Sequence, residues 1–183
     1  MYRIQVRVET VNVSEWLEKY CAPEKFLPLC KECPEHGKNW SCPPGVPDVK
    51  AFVRDYRYAQ VIGLKVIYDE WVRQEAALSP GRAEQLRQQI YGVAKKQLLH
   101  ALLALEKAVP GSMTIMAGKC EICQRCARLD GANCRHPEMM RYSYSGLGFD
   151  LGRIAEEILQ MPLLWQNGGL PEYNVAVAAF LHN

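Results

Sequence analysis

Apolar and polar side chains alternate at the start of the chain, with Ile4, Val6 and Val8 set against Arg3, Gln5 and Arg7. That period of two predicts a half-buried strand over residues 2–8. Ser14 reads as the N-cap of a short helix carrying Trp16, Leu17 and Tyr20. Asp48 reads as the cap of a second helix, to about Tyr56, with Val49, Phe52, Val53 and Tyr56 at helical spacing. Residues 59–68 are β-branched and almost continuously apolar, as an interior strand requires. Ser79-Pro80 then opens the longest expected helix, roughly 80–108. Its expected inward face is Leu86, Ile90, Val93, Gln97, Ala101, Leu105 and Ala108, with Gln97 the polar exception, and Pro110-Gly111 ends it. Met113–Ala117 is a short apolar strand, and Asp150 caps a helix that turns Leu151, Ile154, Ala155, Ile158 and Leu159 to one side. Asn167-Gly168-Gly169 marks a turn before a last strand at 173–181.

Strands and helices in this order predict an α/β or α+β sandwich, with helices packed on a four- to five-stranded sheet. The expected organisation is one domain over residues 1–183, interrupted by cysteine-rich loops at about 21–45 and 118–137. Prolines recur from Pro23 to Pro47 and argue against regular structure through most of the first loop. A loop that buries so little is well served by a metal centre.

Composition changes this picture little. At 183 residues, 49% of them hydrophobic and 23% charged, the chain is an ordinary globular sequence long enough for one apolar core. A net charge of +2 is too small to imply a polyanionic partner. Basic and aromatic residues do not interleave, so nucleic acid is not an expected ligand. No run reaches 18 apolar residues, which argues against a membrane span, and the N-terminus lacks the apolar stretch of a signal peptide. The expected compartment is a reducing cytoplasm, where eight cysteines stay thiols or metal ligands.

The cysteines carry the chemistry. Cys120, Cys123 and Cys126 follow C-x2-C-x2-C spacing, and Cys134 comes seven residues later. Thiolates at every third position wrap a short loop around one face of a [4Fe–4S] cube, and a later cysteine supplies the last corner. Tetrahedral zinc more often takes two separate C-x2-C pairs. Cys21, Cys30, Cys33 and Cys42 form a second set with one C-x2-C pair, suited to a second [4Fe–4S] cluster or to structural zinc. Two four-cysteine sites leave no cysteine over. Two-cluster ferredoxins exchange a ligand between sites, so the partition of Cys21 and Cys134 is open. His36, His100, His136 and His182 show no metal-site pairing, although His36 and His136 lie inside the loops. Lys119, Arg125, Arg128, Arg135 and Arg141 surround the second set, where they could raise a cluster's potential, dock an acidic partner or simply face solvent. Gly146-Leu147-Gly148 lacks the lysine and glycine spacing of a phosphate loop and reads as a tight turn.

The run Cys30-x2-Cys33-Pro34-x2-Gly37-Lys38-Asn39-Trp40-Ser41-Cys42-Pro43-Pro44 resembles a prokaryotic family described only as predicted metal-binding proteins, a domain of unknown function. Cys120-x2-Cys123-x2-Cys126-x7-Cys134-Arg135-x-Pro137, followed by Arg141, Ser145, Gly146 and Asp150, resembles that family's second signature. The resemblance implies metal or iron–sulfur binding through these cysteines and no particular reaction; Cys21 lies outside its pattern. The leading expectation is a protein with two [4Fe–4S] clusters that exchanges electrons with a redox partner protein, and a homodimer is a further expected arrangement. A reductase or accessory enzyme with a cluster beside a substrate pocket is the second expectation. A zinc-stabilised binding module is the third.

Overall fold

The computed structural model describes residues 2–166 and 168–183, so Asn167 of the expected turn lies outside the described residues. Gly168 and Gly169 beside it take positive φ. The chain forms an open antiparallel sheet of four strands in the order β1-β2-β4-β3. These are β1 (Tyr2–Asn12), β2 (Tyr58–Tyr68), β3 (Met113–Ile115) and β4 (Tyr173–His182). Every pairing is antiparallel, which makes the fold α+β. The near-continuous apolar character of β2 is explained by its position between β1 and β4, with both faces covered.

Successive residues of β2 and β4 serve different layers, as the pleat dictates. Ile62, Leu64, Val66, Ala176, Ala178 and Phe180 pack beneath the long helix, against Leu86, Leu98 and Leu102. Val61, Val177, Ala179 and Leu181 face the opposite way, onto Trp16, Val53, Tyr144, Phe149, Ile154 and Leu159. Trp16 stacks on Phe149 at 4.1 Å between ring centroids, and Tyr144 meets both rings edge-on. This second layer is built largely from segments that flank the cysteine loops.

Helices α1 (Val13–Tyr20), α2 (Pro23–Lys31), α3 (Val49–Val53) and α4 (Glu70–Ala76) precede the long one. Asn12, not Ser14, caps α1, its Oδ1 accepting from Ser14 N at 2.9 Å. α2 lies where prolines argued for irregular chain. Pro23 occupies the first turn, where a missing N–H costs nothing, and no α2 residue is buried. Asp48 caps α3 as expected, through Ala51 N, but the helix stops at Val53. α4, which the pattern did not reveal, buries only Val72 and Ala76.

The long helix consists of α5 (Pro80–Arg87), a π-helical turn (Gln88–Gly92) and α6 (Val93–Ala108). A π turn holds one residue more than an α turn and rotates everything downstream. The buried row therefore runs Leu86, Ala94, Leu98 and Leu102, while Val93 and Leu105 are exposed. The expected face follows an unbroken 3.6-residue period, so it is right before the π turn and out of phase after it. A second π turn, Ile154–Ile158, follows the short α7 (Leu151–Arg153), which Asp150 caps through Arg153 N. Among the described residues no helix is long and apolar enough to cross a membrane.

Near the end of α6, Glu106 accepts from Arg141 Nε at 2.8 Å and also from Arg141 Nη2, and both side chains are 11% exposed. Burial alone would raise the Glu106 carboxyl, but the Arg141 guanidinium together with Thr114 outweighs it and holds the group below the usual carboxylate range. Its stabilising effect is therefore full above the unfolded value of about 4.3 and is lost as pH falls through the lower folded value. Replacing Glu106 by Gln is expected to cost about 1.5–3 kcal/mol at neutral pH. Denaturant unfolding across pH should show a smaller loss of stability in acid for this variant than for wild type.

Candidate metal centre

The first cysteine loop leaves the end of α2 and folds back on itself. Cys33 N donates to Cys30 O at 3.2 Å, His36 N to Cys33 O at 3.0 Å, and Gly37 N to Pro43 O at 3.0 Å. Gly37 takes φ 71°, which favours glycine, and lets the chain reverse. Cys42 thereby returns to Cys30 and Cys33, and all three line one cavity of about 280 Å³. Burial pushes the Cys30 and Cys42 thiols up, and each is raised further by its cysteine neighbours.

Cys21 is not among the residues that line this cavity. It follows α1, forms an isolated bridge to Phe149, and donates its thiol to Leu147 O at 3.8 Å. Burial, reinforced by Glu24, pushes that thiol up to about 12. Gly148, at φ 92°, accepts from Ala22 N at 2.9 Å, and a Cβ there would come within 2.7 Å of Pro23. The glycine-rich stretch is thus the expected tight turn.

The second loop begins where Met116 pairs with Ser143 beyond β3. Gly118 takes φ 64°, and a short 3-10 turn, Ala127–Asp130, ends at Gly131 with φ 68°. Between and after these reversals, Cys120, Cys123, Cys126 and Cys134 come to line one narrow cavity with Trp40, His136 and Met140. Burial pushes the Cys120 thiol up, and Cys134, Cys123 and Cys126 add to the effect. Thiols held this way must give up protons to a metal, and soft sulfur donors suit zinc or iron–sulfur clusters.

The two loops are tied to each other at several points. Ser41 is wholly buried; its Oγ accepts from Cys120 N and its carbonyl from Ser143 N, both at 2.8 Å. Arg128 of the second loop donates to Asn39 O and Cys42 O at 2.8 and 3.1 Å and lies over the Trp40 ring. Trp40 Nε1 in turn donates to Ala132 O. Lys119 pairs with Glu35 at 2.7 Å. Lys95 of α6 lies 2.9 Å from Glu121 Oε2, an ion pair that ties the helix to the second loop.

All five basic residues expected around the second set have partners within the chain. Arg125 and Arg135 reach Asp130, and Arg141 reaches Glu106. Sequence reasoning missed Ser41, Lys95 and Ser143. Ser41 had a signal in its place beside Cys42, whereas nothing local marked Lys95. Among the described residues, no three His, Cys, Asp or Glu side chains close into a shell for a single ion.

Removing the Ser41 hydroxyl would leave the Cys120 amide, in the half-buried second loop, without its acceptor. Ser41→Ala is expected to cost about 1–3 kcal/mol. Native-state hydrogen exchange should show the Cys120 amide losing protection, while amides of β2 keep theirs.

No curated protein and no solved structure matches the chain. Nearly its whole length is nevertheless recognised by one family. The sequence pattern of the predicted metal-binding proteins (DUF2284), a domain of unknown function, matches residues 5–177, and the chain belongs to that family.

Proposed function

We propose that this metal-binding protein carries two [4Fe–4S] clusters and passes electrons to or from a partner protein. Cys120, Cys123, Cys126 and Cys134 would hold one cluster, and Cys30, Cys33 and Cys42 of the first loop the other. The observation that carries the reading is the convergence of four cysteines on one cavity and three on another. A tetrahedral zinc draws its sulfurs to within about 2.3 Å of one point. A cube holds each thiolate on a different iron, so its sulfurs stand further apart. The C-x2-C-x2-C spacing of Cys120, Cys123 and Cys126 supports the cube over zinc at the second site.

When bound, such clusters supply one-electron chemistry, and the protein's part is to hold them and set their potential. Hydrogen bonds and burial around the sulfurs are the levers available. Buried Ser41 Oγ lies 3.7 Å from Cys42 Sγ and also binds Cys120 N, so one side chain touches both candidate centres. Two centres braced by shared side chains make sense as a relay. All eight cysteines are free, in keeping with a reducing compartment such as the cytoplasm.

Anaerobically purified protein should be brown and contain about eight irons and eight sulfides per chain. Cys123→Ser should remove about half of that iron and one of two reduced-cluster signals in electron paramagnetic resonance. Protein that binds only zinc, and stays colourless after anaerobic reconstitution with iron and sulfide, would overturn the proposal.

A further inference from the structure

The two cysteine groups are unequal. Four thiols line the second cavity, but only Cys30, Cys33 and Cys42 line the first. Cys21, which would complete the first set, is engaged with Leu147 O beside Phe149. The same cavity is also bordered by polar side chains from three other segments. Lys95 comes from α6, Lys119 and Glu121 from the second loop, and Ser143 and Ser145 from the segment before α7.

These groups form a wall fitted for a ligand. The Lys95–Glu121 pair is largely withdrawn from solvent, with side chains 13% and 18% exposed. Lys119 is braced by Glu35, which Asn39 also holds at 2.7 Å. Ser143 Oγ lies 3.3 Å from Ser145 Oγ and accepts from Gly146 N. A Cβ on Gly146 would sit 3.1 Å from both Pro43 and Ser143, so glycine there keeps this wall close to the first loop. Each cavity carboxylate is matched by a lysine, leaving the hydroxyls and ammonium groups as donors. A cavity of about 280 Å³ far exceeds one water's share of about 30 Å³ and lies near the small end of ligand pockets.

We propose that Cys30, Cys33 and Cys42 form a three-thiolate cluster site whose fourth corner is left to a small carboxylate-bearing molecule held in this cavity. Ser143 and Ser145 donate to its oxygens, beside the ammonium N–H groups that Lys95 and Lys119 do not use on Glu121 and Glu35. The inference rests on the two-cluster reading and makes the first centre a binding site rather than a closed carrier.

The test uses reconstituted full-length protein with lactate as the probe. Cys21→Ser should keep about eight irons and both cluster signals, whereas Cys30→Ser should lose about half the iron. Circular dichroism confirms that each variant is folded, and Cys21→Ala serves as a second version if serine perturbs the Leu147 contact. Mild oxidation should release one iron per chain, from the incompletely ligated cube. Lactate should shift one reduced-cluster signal and leave the other unchanged. Lys119→Met, which leaves Glu35 bonded to Asn39, should weaken that effect roughly tenfold or more. Loss of half the iron from both Cys21 variants, no iron release, or no lactate-dependent shift would each overturn the inference while leaving the two-cluster reading intact. A wild-type protein without iron–sulfur clusters would instead overturn the reading beneath it.

Discussion

The buried Ser41 hydroxyl and carbonyl hold the two cysteine loops in one fixed relation. Beyond α2 and one 3-10 turn the two loops are irregular, and backbone polar groups buried there must find partners. Ser41 satisfies Cys120 N with its side chain and Ser143 N with its carbonyl, so one residue joins the first loop, the second loop and the segment behind them. Arg128 and Trp40 make a second brace a few residues away, each bonding to the opposite loop's backbone. The sheet acts as the platform. β3 delivers the second loop, and the layer of Trp16, Tyr144 and Phe149 anchors the chain on either side of both.

Strands were legible because their patterns have unambiguous causes. β2 is apolar on both faces since both faces are covered; β1 is the edge strand its alternation suggests, but Ile4, Val6 and Val8 are exposed, so the expected half-buried face is not covered by this chain. Antiparallel pairing was not legible, because a strand's own residues do not encode the direction of its neighbour. The caps at Asp48, Ser79 and Asp150 were readable as local chemistry. The phase of α6 was not, because the π turn depends on how both halves of the helix pack. α2 was hidden by its prolines: Pro23 stands at the helix start, where the rule for helix interiors does not apply, whereas Pro28 lies inside the helix against that rule.

For the site, spacing within a loop was informative and assembly between loops was not. The three-residue repeat at Cys120, Cys123 and Cys126 is a local property, and the return of Cys134 needs only Gly131 to reverse the chain. The grouping of Cys21 with the first set followed from counting. Its absence from the lining of the cavity that Cys30, Cys33 and Cys42 share goes with its contacts to Leu147 and Phe149, which no local pattern marks. Lys95 is the clearest case of a residue invisible in sequence, since it reaches the loops only through the docking of a helix.

The π turn at Gln88–Gly92 bears on how this chain can change over generations. Deleting a single residue there would restore an unbroken α-helix and barely alter composition. It would also turn α5 against α6 by about 100°, the rotation carried by one helical residue. Either Leu86 or the row of Leu98 and Leu102 would then leave the core, and in the second case Lys95 would swing away from Glu121. In this helix the number of residues is under as much constraint as their identity. Substitution can explore its surface freely, while insertions and deletions are confined to the connections around it.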